Sequence, residues 1–378
     1  MPFRLTADHI ARIEQRSYKF LSELGSGEYG SVVSARPASS LSPMVALKIT
    51  EDRRSFSREV TILNQLGAHP NIVERRGAFS DRTVHVIEFE YLRGRTLLDL
   101  LANDGPMQEQ EACRYFRQLA LGMLHSHQVA RVAHRDLKAE NLMICGDKLV
   151  IIDWGMGIQI VPGQHRVEAC GSPEYASPEL YMRQPYLGPE VDVWAMGVVL
   201  YAMVTGNFPF VGRSRADTGS HICHSFYMPP LGVSHGCLDL LSRLLTKSPR
   251  DRISVFEALS HPWISGVPTL ACSDPSSAAS SSASSFSSQH PHARTSPQWS
   301  RKRFKDKKIK PKGYCHCGSS QASISVSQSL PHNGLSFSDL SHESSPPLTG
   351  HVLPDDFIPA PTSDAHPHSP SLSTTRRS

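Results

Sequence analysis

No run of apolar residues in this 378-residue chain is long enough to span a bilayer. The longest, from Val193 to Val204, reads instead as a buried helix. Residues 1–17 alternate charged with single apolar residues and lack the apolar stretch of a signal peptide. The eight cysteines, at 113, 145, 170, 223, 237, 272, 315 and 317, form no even framework. Reduced thiols, in a cytoplasmic or nuclear protein, are the expectation. The formal net charge of +4 is too mild to argue by itself for a nucleic-acid binder. Hydrophobic residues make up 39%, low enough to suggest that part of the chain does not fold.

Composition locates that part. Patterned sequence runs over residues 18–264, after an N-terminal extension at 1–17. Residues 265–378 are Ser- and Pro-rich, and such a stretch buries too little apolar surface to offset its ordering entropy. A disordered tail is expected there. Within it, residues 301–312 hold eight Lys and Arg side chains against one acid, Asp306. This run is either a solvated linker or a patch for an import receptor, an anionic lipid or nucleic acid. Cys315 and Cys317 flank His316, but no second pair follows at zinc spacing.

The patterned region opens on Leu24-Gly25-Ser26-Gly27-Glu28-Tyr29-Gly30-Ser31-Val32. Glycines at the first, third and sixth places let a backbone hairpin lie close over phosphates. A Rossmann turn shares the spacing, but there a helix follows. Here Ser31 to Ala35 read as a second strand, and Val45-Ala46-Leu47-Lys48-Ile49 as a third. A lysine within such a strand needs a partner or a ligand. Glu59 is the candidate, in a helical pattern of Phe56, Val60, Leu63 and Leu66 that Gly67 and Pro70 end. The gap from Lys48 to Glu59 is short, which predicts a shortened helix.

The most informative residues are His134-Arg135-Asp136-Leu137-Lys138-Ala139-Glu140-Asn141, followed by Asp153-Trp154-Gly155. They supply a proton acceptor, a phosphate clamp and two metal ligands. Those are the groups needed to move a phosphoryl group onto a hydroxyl, a reaction governed by positioning and electrostatics.

With these motifs in this order, the chain resembles a eukaryotic protein kinase of the Ser/Thr type from Tyr18 to Ile264. CGSPEYASPEL at 170–180, TGNFPF at 205–210 and His261-Pro262-Trp263 place it nearest the calmodulin-dependent and Snf1-like branch. The resemblance implies an α+β bilobal fold, with a small β-rich N-lobe and a larger helical C-lobe. It implies ATP and Mg²⁺ as cofactors and proteins with Ser/Thr acceptors as substrates. Residues 24–32, Ala46, Lys48 and Glu59 would then hold the nucleotide. Phe89 would guard the back pocket, and Glu90 and Leu92 would bond the adenine. Asp136 would take the acceptor proton and Lys138 would contact the γ-phosphate. Asn141 and Asp153 would coordinate the metal. Lys138, two residues after Asp136, is the feature that selects Ser/Thr.

The resemblance also implies regulation. Arg135 commonly pairs with a phosphothreonine, and Glu168 occupies that place here, predicting partly constitutive activity. Ser172 would touch Asp136 and Lys138, so its phosphorylation would inhibit. Glu179 is expected to pair with Arg252, and Asp192 to hold the catalytic loop or cap its own helix. Thr96 stands where an acid usually meets the ribose, with Asp99 nearby. Thr96 and Ala202 replace two acids of basic-directed relatives, while Glu140 keeps one, predicting weak upstream arginine selection. Trp154 replaces the usual Phe. The alternative is a pseudokinase or scaffold acting through the tail, but Lys48, Asp136 and Asp153 are all present.

Overall fold

The computed structural model describes residues 3–266, apart from 28, 29, 40 and 41. Glu28, Tyr29, the basic cluster, Cys315, Cys317 and all of the tail from 267 onward lie outside the described residues.

Five antiparallel strands build the N-lobe: β1 (Tyr18–Ser26), β2 (Ser31–Pro37), β3 (Val45–Thr50), β4 (Arg75–Asp81) and β5 (Val84–Glu90), in the order β1-β2-β3-β5-β4. Alternation decides which side is buried. Val33, Ala35, Val45, Leu47, Ile49, Val84 and Val86 form one cluster on the sheet. A helix from the stretch before β1, α1 (Ala7–Gln15), completes this cluster with Ile13, which is fully buried.

Only Glu51 and Asp52 separate β3 from α2 (Arg53–Leu66). The helix is nevertheless 14 residues long, which corrects the expectation of a shortened one. Asp52 makes this possible as its N-cap, accepting hydrogen bonds from the Arg54 and Ser55 amides at 2.9 and 3.3 Å. Ile62, Leu63 and Leu66 then face the main core.

The C-lobe follows a short β6 (Arg95–Thr96). Its helices are α3 (Leu97–Asp104), α4 (Glu109–Leu124, continued by a π-helical turn over His125–Val129), α5 (Pro178–Tyr181), α6 (Pro189–Thr205), α7 (Arg215–His224), α8 (His235–Leu244), α9 (Val255–Ser260) and α10 (Pro262–Ser265). Helix α6 is apolar all round, and every residue from Val191 to Met203 is buried, so it forms the lobe's axis. Pro189 opens it and Gly188 is its N-cap. That corrects the alternative in which Asp192 caps this helix.

Four short strands carry the residues between the lobes. The loop that carries Asp136 runs from β7 (Val132–Ala133) to β8 (Leu142–Cys145), which pairs with β9 (Lys148–Ile151) and β6. After Gly155 the chain returns as β10 (Ile158–Gln159), antiparallel to β7. This pairing sets the Asp153 segment beside the strand that feeds Asp136.

Among the described residues, no helix is long and apolar enough to cross a membrane. Cys113, Cys145, Cys170, Cys223 and Cys237 are free. Burial pushes the Cys113 thiol up to about 11 and that of Cys237 to about 12, so both pack as neutral side chains.

Candidate active site

The glycine hairpin joins β1 to β2, with Ser26 opposite Ser31. A side chain at Gly30 would lie 2.4 Å from the Ile49 carbonyl oxygen, so this position excludes one. At Gly25 a Cβ would meet nothing within 4 Å, and at Gly27 only the Gly30 oxygen at 3.8 Å. These two glycines therefore leave open backbone that a ligand can approach.

Beneath the hairpin, β3 places Lys48 opposite Val32 and Ile87. Its Nζ donates to Glu59 Oε1 at 2.8 Å and to Asp153 Oδ1 at 2.7 Å. Glu59 is almost fully buried, whereas 45% of the Asp153 side chain stays open to solvent. Burial alone would lower the Lys48 pKa, but the Asp153 and Glu59 charges outweigh it and hold the amine protonated. The Lys48 charge in turn holds Asp153 well below the usual carboxylate range.

Beside this triad, Ala46 pairs with Phe89 across β3 and β5, and Phe89 is buried. The Glu90 amide is taken up by the Glu74 carbonyl at 3.0 Å. Neither the amide nor the carbonyl of Leu92 bonds to another described residue. They remain a free donor and acceptor at the edge of the cleft. Thr96 instead caps α3, with its hydroxyl donating to Asp99 Oδ2 at 2.8 Å. Asp99 is thereby turned to the cap.

Asp192 holds the loop of Asp136 from below. Its Oδ2 accepts from the His134 amide at 2.8 Å and its Oδ1 from the Arg135 amide at 2.7 Å. Arg135 and Asp153 both adopt left-handed backbone, at φ 65° and 61°. The buried imidazole of His134 lies 4.5 Å from the Trp154 ring, centroid to centroid.

Asp136, Lys138 and Ser172 stand on this frame. Lys138 Nζ donates to Asp136 Oδ2 at 2.6 Å and to the Ser172 hydroxyl at 3.1 Å. Ser172 returns two bonds to Asp136 Oδ1, from its amide at 3.0 Å and its hydroxyl at 3.2 Å. Gly171 makes the turn that brings Ser172 in. It has φ +80°, and a Cβ there would lie 2.6 Å from the Arg135 carbonyl oxygen. Burial lowers and the Asp136 charge raises the Lys138 pKa; the net direction is upward, so the lysine stays cationic.

Asn141 Nδ2 donates to the Asp136 carbonyl at 2.9 Å, which commits the amide nitrogen and leaves Oδ1 as a ligand atom. Together with the Asp153 carboxylate it gives an oxygen-only donor set. That chemistry fits Mg²⁺, which takes one or two protein oxygens and fills its other places with water and phosphate.

Arg135 makes no hydrogen bond or ion pair with the Glu168 side chain and feels its charge only at a distance. The guanidinium donates to the Met156 carbonyl at 3.0 Å and to the Tyr186 hydroxyl at 3.2 Å. The Glu168 side chain is exposed and forms no ion pair, yet its charge still helps to raise the Arg135 pKa; its main-chain oxygen accepts from Tyr186 at 2.9 Å. Tyr186 was missed in the sequence because no motif marks it. Farther out, Glu179 and Arg252 form a bidentate pair at 2.7 and 3.0 Å, essentially without solvent exposure. The remaining guanidinium hydrogens go to the carbonyls of Glu190, Thr246 and Lys247, so the buried charge is fully satisfied.

Two carboxylates clamping a lysine, an Asp–Lys–Ser cluster and a hairpin with two open glycines make up the site. Residues 18–264 match the model of the protein kinase domain. The probable serine/threonine-protein kinase MARK-A of Dictyostelium discoideum is 35% identical over 257 residues, covering 66% of this chain and 24% of that protein. The NUAK family SNF1-like kinase 2 of Homo sapiens is 35% identical over 256 residues, covering 65% of this chain and 40% of its own length. The sperm motility kinase 2B of Mus musculus is 35% identical over 252 residues, or 65% and 51% of the two chains. The chain thus spans between a quarter and a half of the length of these relatives. By the match over residues 18–264, the chain belongs to the protein kinase domain family.

Proposed function

We propose that this protein is an ATP-dependent Ser/Thr protein kinase, transferring the γ-phosphoryl group to Ser/Thr hydroxyls of proteins. One observation carries the reading: Lys48 is held at 2.7–2.8 Å by Glu59 and Asp153 together, the arrangement a phosphate-orienting lysine needs. ATP bound with Mg²⁺ supplies the phosphoryl group and the charge that the metal neutralises. The chain's own groups do the rest. Gly25 and Gly27 admit the phosphates close to the backbone. Asp136 faces the acceptor hydroxyl and orients its proton, while Lys138 balances negative charge developing on the transferred group. Asn141 and Asp153 are the residues that would hold the metal.

Partly constitutive activity is a finer proposal. Its support is that Arg135 finds partners without any phosphate, through Met156 and Tyr186. Glu168 adds its charge from the surface. Location in the cytoplasm or nucleus, and binding of an import receptor, anionic lipid or nucleic acid by residues 301–312, are proposals resting on sequence alone.

The test is incubation of recombinant protein with Mg-ATP and a mixed Ser/Thr/Tyr peptide set, with Asp136→Asn as control. Phosphate on Ser and Thr, lost in the variant, is the expected result. Absence of transfer with intact ATP binding would favour the scaffold reading instead.

A further inference from the structure

A groove of about 330 Å³ lies outside the cleft, between α2 and the segment that follows Gly155. Ser57, Arg58 and Thr61 form one wall, and Ile158, Gln159 and Arg166 the other. No carboxylate lines it. Neither arginine forms an ion pair with a described residue. Arg58 reaches only the Ser55 hydroxyl and Arg166 only the Gln164 side chain, both at a long 3.3 Å. Two guanidinium groups on opposite walls of one groove suit an anion between them. The Ser57 side chain stands on the same wall, exposed, and its hydroxyl bonds to no described residue. Arg53 and Arg54 precede it, exposed and likewise without ion pairs, four and three residues upstream. That is the pattern by which basic-directed kinases recognise a serine.

We propose that Ser57 is a phosphorylation site whose phosphate is held in this groove by Arg58 and Arg166. In the modifying step, Ser57 Oγ attacks the γ-phosphorus of ATP bound to a basic-directed protein kinase. The new P–O bond forms as the bond to the β,γ-bridging oxygen breaks. The hydroxyl proton passes to that kinase's base, and ADP leaves. The product carries close to two negative charges and three strong acceptor oxygens.

The consequence follows from what each wall is tied to. Ser57 lies two residues before Glu59 on α2. The Arg166 main chain exchanges two hydrogen bonds with Tyr186, at 2.7 and 2.9 Å, and Tyr186 holds Arg135. A phosphate spanning the groove would therefore couple the helix that orients Lys48 to the arginine beside Asp136. Its effect on turnover rests on the kinase reading above; the site itself does not.

The experiment separates the two by using catalytically dead protein. Phosphoserine is placed at 57 during synthesis in an Asp136→Asn chain, and thermal unfolding is compared with unmodified Asp136→Asn. The midpoint is expected to rise by about 2–4 °C, and the rise to vanish when Arg166→Gln is added. An unchanged or lower midpoint, or a rise indifferent to Arg166→Gln, overturns the proposal. In parallel, the Asp136→Asn protein is incubated with Mg-ATP and the catalytic subunit of cyclic-AMP-dependent protein kinase, with Ser57→Ala as control. Mass spectrometry should place phosphate on Ser57; its absence there overturns the proposal and leaves an acidic segment of a partner as the better occupant.

Discussion

The guanidinium of Arg135 donates to the hydroxyl of Tyr186 at 3.2 Å, and that hydroxyl donates onward to the main-chain oxygen of Glu168 at 2.9 Å. A neutral phenol thus stands between the arginine beside Asp136 and the main chain at Glu168. Burial raises the Tyr186 pKa, so it remains a hydroxyl at physiological pH. Tyr186→Phe removes an acceptor from a buried cation, a loss of about 1–3 kcal/mol. It is expected to lower peptide kcat/KM by roughly 5- to 10-fold. Glu168→Ala leaves the main-chain acceptor in place and should cost no more than about twofold. Steady-state assays of both variants, made without upstream phosphorylation, decide this. A larger loss from Glu168→Ala would show that the surface charge dominates.

The Lys48–Glu59 pair yields a prediction in which stability and activity separate. Removing the lysine leaves a nearly buried carboxylate without its cation. Lys48→Met should destabilise by about 2 kcal/mol, less than a fully buried pair because the lysine is one-fifth exposed. It should also abolish detectable transfer. Adding Glu59→Gln removes the stranded charge, so the unfolding midpoint should recover in part while activity stays absent. Recovery of both together would mean that Lys48 acts only as a structural ion-pair partner.

How much of this was legible beforehand depended on whether a role is set by local sequence. Lys48, Asp136, Lys138, Asn141 and Asp153 sit in short motifs whose spacing fixes their backbone, and the structure gathers them in one cleft. Glu168 meets the Arg135 cluster through its main chain and only the field of its carboxylate, because chain position fixes where a main chain passes, not where an exposed side chain points. Tyr186 lies 51 residues from Arg135 and belongs to no motif, so only tertiary packing brings it in. The length of α2 differs because the Asp52 cap lets a helix begin with only two residues between it and the strand.

Trp154 shows the same limit on a smaller scale. Replacement of Phe by Trp reads as a tolerated aromatic change, yet the indole is fully buried and its Nε1 has no hydrogen-bond partner. An orphan donor costs about 1–3 kcal/mol, while Phe would leave a small cavity of comparable cost. Trp154→Phe is therefore expected to change stability by no more than about 1 kcal/mol and to keep transfer activity. Urea unfolding and a peptide assay check it. A loss of activity with unchanged stability would assign the indole a role beyond packing.

Acid should loosen the region behind α2. His69 stacks on His125 at 4.8 Å and accepts the Asn71 amide through Nδ1. Burial, then the neighbouring His125 and Lys148, lowers its pKa below the ordinary value. Burial likewise lowers His85, which stacks on Phe56 of α2. In each case the unfolded chain binds a proton first as pH falls. Stability is full above the unfolded pKa, near 6.5, and declines as pH drops toward the lower folded value. The unfolding midpoint should fall between about pH 7 and 5.5. His69→Asn keeps an acceptor for the Asn71 amide without the titrating ring, so it should flatten the slope. An identical slope would locate the acid sensitivity elsewhere.

The helix before the first strand should matter more than its place at the chain's start suggests. Ile13 is fully buried in the cluster it forms with residues of β2, β3 and β5, and Arg12 reaches Asp81 at 3.1 Å. His9 is also buried; its Nδ1 accepts the Thr6 amide at 3.1 Å, which leaves Nε2 as the donor to Glu51 at 3.0 Å. Glu51 immediately precedes Asp52, the cap of α2, so α1 touches the chain where the Glu59 helix begins. Ile13→Ala should cost about 2–5 kcal/mol as a core truncation. Glu51→Ala removes only the bond to His9, from a carboxylate that is 60% exposed, and should cost far less stability. If α1 helps to seat α2, Glu51→Ala should still raise the KM for ATP severalfold while the unfolding midpoint moves little. An unchanged KM would confine α1 to packing the outer face of the sheet.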